Sequence, residues 1–341
     1  MAYLIRPIER QLKLHLTTEV GRRRFDRAKR FVDAAMLGGD VETAQRANAR
    51  WLKFLCSREP VQTAVWPEEA AFLRHFATVF GLPAAERREF LGLSLLGRFW
   101  RALCFADLWK DPDLVAKLTR VVGWEHFDRC RQDGTGLILL PVHGQFARLF
   151  RLYLRHRGHD GLEVGLPSHK LEKKGLHTPA AKQFELARQM HAAKQLLKSG
   201  GVVFNLPDAF QNLDHSYPVE FFGRERRIAA GFAELALMTG SNVIPIAYRF
   251  TPRGSFVLEF GAPFRTPGPE SAHEDRVGAL VGQFADFLRL EWQRYPWNIP
   301  WHHLVHYCAL PEVDSAAASE EIAVGGLPEA TSDAARQGFG P

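Results

Sequence analysis

The sequence predicts an α/β fold, a mostly parallel central sheet flanked by helices with a helical layer ahead of it. Three observations carry that prediction. Short continuous apolar runs recur at residues 137–142, 202–206 and 243–248, and a run of that length is what a strand buried on both faces looks like. Segments with apolar residues at helical spacing separate the runs. Glycines at Gly136, Gly200-Gly201 and Gly240 punctuate the change from one pattern to the other. A parallel neighbour needs a long crossover, so strands that alternate with helices imply a largely parallel sheet.

Taken in order, residues 1–130 read as a helical N-terminal region packed on the core, with charged runs such as Arg22-Arg23-Arg24 between apolar stretches and few strand-like segments. Residues 131–311 form the α/β domain. Its first strand is Leu137-Ile138-Leu139-Leu140-Pro141-Val142. Phe146, Leu149, Phe150, Tyr153 and Leu154 follow at helical spacing, with Arg148, Arg151 and Arg155 on the opposite side. Leu186, Met190, Ala193 and Leu197 mark a second helix that stops at Gly200-Gly201, and Val202-Val203-Phe204-Asn205-Leu206 supplies the next strand. A third helix carries Ile228, Phe232, Leu235 and Ala236, and leads into the strand that starts at Val243. Phe256, Leu258 and Phe260 alternate with Val257 and Glu259, which predicts a half-exposed strand at the sheet margin. Val277, Leu280, Val281, Phe284, Leu288 and Trp292 form one stripe of a long helix. Residues 312–341, rich in Ala, Gly, Ser and Glu, have little to bury and are expected to be a disordered acidic tail.

A chain of 341 residues with 46% hydrophobic content can bury a large core, which excludes disorder of the whole. The tail holds six acids against one base, −5 of a formal net charge of +6, and this leaves +11 on residues 1–311. Such a body suits acidic carriers, phosphates or an anionic membrane surface. Nucleic acid is not expected, since no binding fold or interleaved aromatic platform accompanies the charge. The N-terminal arginine run reads as a solvated helix face in preference to a membrane contact. Met1 to Pro7 contains no apolar run of signal-peptide length, and nowhere do about 18 apolar residues follow one another, so a cytoplasmic location, or a peripheral one on the inner face of the membrane, is expected. Cys56, Cys104, Cys130 and Cys308 stand too far apart for a disulfide framework or a zinc site.

His143 is the most informative residue, because it follows a buried strand and precedes a helix, where open α/β sheets gather ligands. A neutral imidazole there can take a proton from an attacking hydroxyl or amine. On the residues alone, a histidine hydrogen-bonded at a strand end is the favoured reading. Asp208, after the second strand, is either a site residue or the opening of a turn ahead of Asn212 and Asp214. Lys170, Lys173 and Lys174 read as a solvated loop before they read as a phosphate or carrier contact. His302, His303 and His306 have a spacing that could hold a metal, yet no acid or cysteine lies near them in sequence, so neither metal nor cofactor is expected.

From about Leu93 to Tyr307 the order of segments resembles the lipid A biosynthesis acyltransferases of the lysophospholipid acyltransferase superfamily. Gly136 to His143 is similar to the strand that delivers that family's catalytic histidine, and Gly200 to Asp208 to its second strand and the aspartate after it. Val219-Glu220-Phe221-Phe222-Gly223, Gly231 to Ala236 and Val243-Ile244-Pro245-Ile246 resemble its Phe-Phe-Gly element, next helix and next strand. Tyr295-Pro296-Trp297 with Trp301-His302-His303 is similar to its closing Trp-rich segment. The resemblance implies transfer of a fatty acyl group from acyl carrier protein or acyl-CoA to a hydroxyl or amine, with His143 as general base. It implies substrate contacts at Phe222, Gly223, Arg224 and Arg226, and at Arg148.

The departure lies at Arg148. In that family an Asp or Glu stands five positions after the histidine and orients the imidazole, whereas an arginine supplies no acceptor for a ring N–H. Three alternatives follow. Another acid such as Asp208 orients His143, or His143 works without a partner, or the chain has kept the scaffold only to bind an acyl chain, a carrier or a partner enzyme. Residues 1–7 show no apolar run of the kind the lipid A enzymes use as an anchor, so a soluble or peripheral protein with a different acceptor is expected.

Overall fold

A computed structural model of the chain describes residues 112–164, 179–208, 215–222, 224–251 and 255–300, together with His303 and scattered helical positions before residue 98. The arginine run at 22–24, Lys170, Lys173, Lys174, Gly223, His302, His306 and the tail from 312 lie outside the described residues.

The apolar runs become adjacent strands. In chain order the elements are α1 (Pro112–Leu118), β1 (Thr119–Val122), α2 (Trp124–Gln132), β2 (Leu137–Pro141), α3 (Leu149–His156), β3 (Leu162–Val164) and α4 (Pro179–Lys198). Then come β4 (Val202–Asn205), β5 (Ser216–Phe221), β6 (Arg224–Ala229), α5 (Gly231–Thr239), β7 (Asn242–Phe250), β8 (Phe256–Phe260), α6 (His273–Arg294) and a 3-10 turn, Pro296–Asn298. The six-stranded sheet has the order β1-β8-β7-β2-β4-β3. Only the β7–β8 pair within it is antiparallel. The chain is therefore α/β with a mostly parallel central sheet, and β2 lies in its middle with all five residues buried.

Successive residues of β2 face opposite sides. Ile138 and Leu140 join Val203, Val243, Phe232, Leu235, Phe284 and Leu288 in one core cluster under α4, α5 and α6. The other face is aromatic, with Phe150 edge-on to Phe204, Phe146 against Phe256 and Phe127 against Phe260. Each fully buried Leu, Ile or Phe here contributes about 1.5–3 kcal/mol of transfer free energy, an upper estimate given residual burial in the unfolded chain.

Four expectations need correction. The sheet margin is β1, inside the span read as helical, and β8 lies one strand inward with four of its five residues buried. Thr-Arg-Val-Val is too short to show its alternation of half-buried and exposed residues against a helical background. Ile228 belongs to β6, part of an antiparallel hairpin with β5, and the third helix begins only at Gly231. In α4 the buried stripe is Glu185, Gln189, Ala193 and Leu197, while Leu186 is exposed. The stripe hides polar groups because Glu185 accepts hydrogen bonds from Arg188 Nε at 2.7 Å and Gln189 Nε2 at 3.0 Å. Among the described residues no helix is long and apolar enough to cross a membrane.

Candidate functional site

Two glycines set the geometry. Gly136 precedes β2 and Gly201 precedes β4, and both strands start against the end of α4. A Cβ on Gly136 would lie 2.4 Å from the Leu197 carbonyl oxygen, and one on Gly201 would lie 2.3 Å from Leu196 Cδ1. Parallel pairing aligns Leu137 with Val202 and Leu139 with Phe204. His143 and Asp208 each stand four residues past that second pair, so they emerge side by side at the C-terminal edge of the sheet.

There the carboxylate grips the histidine twice. Asp208 Oδ1 lies 2.5 Å from His143 Nδ1, and Oδ2 accepts the His143 backbone N–H at 2.9 Å. Asp208 is fully buried, and the His143 side chain is 24% exposed. Burial works to raise the Asp208 pKa. It is outweighed by the charge and ring hydrogen bond of His143, the guanidinium of Arg226 and the His143 N–H, which hold the carboxyl below the ordinary carboxylate range. An ionised carboxylate only accepts, so the ring nitrogen facing it carries a proton, and in a neutral imidazole the lone pair is then on Nε2.

A second imidazole covers the first. The His303 ring, 1% exposed, lies with its centroid 4.4 Å from that of His143 and tilted 31° to it. The Pro296–Asn298 turn brings it there by clasping two strand ends. Asn298 accepts the Phe250 N–H at 2.7 Å and donates to the Phe250 carbonyl at 3.1 Å. Asn298 O in turn accepts the Gln145 N–H at 2.9 Å, and Gln145 Nε2 donates to Trp297 O at 2.9 Å.

Ligand-type atoms of His143, Asp208 and His303 all lie within 4.8 Å of one another. Two ligands of a tetrahedral zinc at about 2.0–2.1 Å stand roughly 3.3 Å apart. The 2.5 Å contact of Nδ1 with Oδ1 is too short for two ligands of one ion and leaves the pair as a short hydrogen bond.

Beside His143 a cavity of about 20 Å³ is lined by Gly144, Tyr248, Arg249, Glu291 and Tyr295 among others. That volume suits a single water, not an acyl chain. Arg249, inside an otherwise apolar strand, donates to Glu291 at 2.6 and 2.8 Å, pairs with Glu259, and sits 4.1 Å from the Tyr295 ring centroid. These residues were not singled out by pattern, although a charged residue within the run 243–250 was the available signal.

The other predicted site residues scatter. Arg148 is exposed at the N-terminal boundary of α3. Phe222 is half-buried at the hairpin turn with a φ of 51°, and packs 4.6 Å from Phe221 and 6.4 Å from Trp292, ring to ring. The Arg224 side chain lies outside the described residues. Arg227 is exposed and donates to Ser216. Arg226 is 5% exposed and turns inward, its guanidinium 4.9 Å from the Phe221 ring and 5.7 Å from that of Trp292, with Nη2 donating to Asp208 O at 3.1 Å.

The described domain is open α/β, with a histidine–carboxylate pair at adjacent strand ends on the C-terminal edge of its sheet. A family model, that of the bacterial lipid A biosynthesis acyltransferases, matches residues 67–297, beginning further toward the N-terminus than the motifs and ending just before the closing histidines. The chain belongs to that family, and acyl transfer is its class of reaction. No curated protein matches it closely enough to count as a relative.

Proposed function

We propose that this acyltransferase moves a fatty acyl group from acyl carrier protein or acyl-CoA to a hydroxyl or amine acceptor, with His143 as general base and Asp208 as the acid that orients it. The observation that carries the proposal is the double contact of Asp208 with His143, because it offers the acceptor that Arg148 does not. Nε2 takes the proton of the acceptor as its oxygen or nitrogen attacks the thioester carbonyl. The tetrahedral intermediate collapses, the carbon–sulfur bond breaks, and the leaving thiolate receives that proton from the imidazolium. The buried Asp208 charge stabilises the imidazolium between the two transfers. The basic body favours an acidic carrier or an anionic membrane surface as the place of encounter.

The test uses purified full-length protein, acyl carrier protein and CoA thioesters, and a panel of hydroxyl and amine acceptors. His143→Ala should lower turnover by roughly 10²–10⁴-fold with the fold retained. Unaltered turnover in His143→Ala would eliminate it as the base. Binding of acyl chain or carrier without turnover on any acceptor would leave a non-catalytic binder.

A further inference from the structure

We propose that Arg226 is a positioning residue of this site: it holds Asp208 by its main-chain carbonyl and supplies the buried positive charge that lets Asp208 stay ionised while His143 stays neutral. The inference rests on the reading of His143 as the base, and it assigns Arg226 a role other than contact with substrate.

A general base must be neutral before the reaction. Both carboxylate oxygens of Asp208 are taken by His143, one by its ring and one by its backbone N–H. Asp208 is fully buried, and burial disfavours the charged form of a carboxyl. Left alone, such a pair would bind a proton, either as imidazolium against carboxylate or as a protonated acid, and the base would be spent. A third charge changes that balance. Arg226 is buried, keeps its proton at any working pH, and reaches the same residue from β6. With Arg226 positive and Asp208 negative, the neutral imidazole completes a neutral set.

The hairpin and the rings packed on it hold the guanidinium there. Arg226 pairs in register with Val219, so the two strands meet around it. Phe221 and Trp292 offer their rings to its planar group, a cation–π arrangement that favours arginine over lysine. Among the described residues, Arg249 is neutralised by Glu291 and Glu259.

The experiment titrates the His143 ring by NMR in full-length protein labelled at histidine, with His143→Asn to assign the signal, and measures the pH dependence of kcat/KM on an acyl thioester in the same variants. In Arg226→Gln the His143 midpoint should rise by about one unit, as expected for losing one positive charge several ångströms away at an effective dielectric constant near 20, and the acid limb of kcat/KM should move up with it. Arg226→Lys, which keeps the charge and loses the fork, should hold the midpoint near that of the parent at reduced kcat. An unmoved midpoint in folded Arg226→Gln overturns the proposal. If that variant does not fold, a midpoint raised in Arg226→Lys as far as predicted for loss of the charge overturns it instead. A midpoint that rises while the acid limb stays where it was upholds the charge balance at the dyad and removes His143 as the base.

Discussion

Replacing Asp208 by Asn tests the dyad while changing almost no volume. The carboxylate accepts two hydrogen bonds from His143, at 2.5 and 2.9 Å, from a fully buried position. An amide has one acceptor and one donor, so whichever way it turns, its NH₂ meets a hydrogen of His143. The ring can escape by moving its proton to Nε2, and that removes the lone pair a base needs. Activity should therefore fall by roughly 10²–10⁴-fold, as for loss of the base itself. A buried donor facing a donor costs about 1–3 kcal/mol, and at roughly 2–4 °C per kcal/mol the Tm should drop by several degrees. The pH dependence has a definite sign. The folded Asp208 pKa is depressed, so its contribution is fully present above the unfolded value of about 3.9 and is lost as pH falls through the folded value below that. The stability gap between parent and Asp208→Asn should be widest near neutrality and close below about pH 4. The assays are thioester turnover and urea unfolding across pH. Full turnover in Asp208→Asn, or a gap that widens in acid, would refute the reasoning.

Arg148→Glu should leave turnover within about twofold of the parent, since the side chain is exposed and the ring already has its carboxylate. A large gain in thioester turnover would mean the new acid reaches His143. Gly136→Ala places a Cβ 2.4 Å from the Leu197 carbonyl, so strand and helix must part, and thermal unfolding should register a loss of about 1–3 kcal/mol. Asn298→Ala removes the side-chain acceptor of the Phe250 N–H and one of the donors to its carbonyl, the other being Trp297 Nε1 at 3.3 Å, at a cost of about 1–3 kcal/mol by chemical denaturation. Because the same turn carries His303 toward His143, kcat should fall with it, and a variant that loses stability at unchanged kcat would separate the turn from the site.

Strands β2, β4 and β7 were legible because they are continuous apolar runs preceded by glycines, a pattern that survives without tertiary information, whereas β3, Leu162-Glu163-Val164, is too short to show one. The dyad was half legible. Counting from the glycines, His143 is seven residues past Gly136 and Asp208 seven past Gly201. That equality predicts their meeting only once β2 and β4 are known to be neighbours in register, and a sequence does not state strand order. β1 was hidden by its shortness, and the stacking of His303 by its dependence on how one 3-10 turn grips Phe250. By resemblance Arg226 reads as a substrate contact beside Phe222 and Gly223. Its inward turn follows from strand alternation in a hairpin whose register no local signal fixes.

His143 and Asp208 are 65 residues apart in sequence, with two helices and two strands, α3, β3, α4 and β4, between them. An acid one helical turn away could find the imidazole as soon as that turn forms. This one cannot arrive until the crossover through β3 and α4 has closed and β4 has zipped onto β2, a contact of high sequence separation for which chain entropy must first be surrendered. Recovery of turnover after dilution from denaturant should accordingly trail the return of helical signal. Catalytic competence in this chain then reports on closure of the sheet as a whole, and an intermediate with its helices in place but its central strands unpaired would be inert.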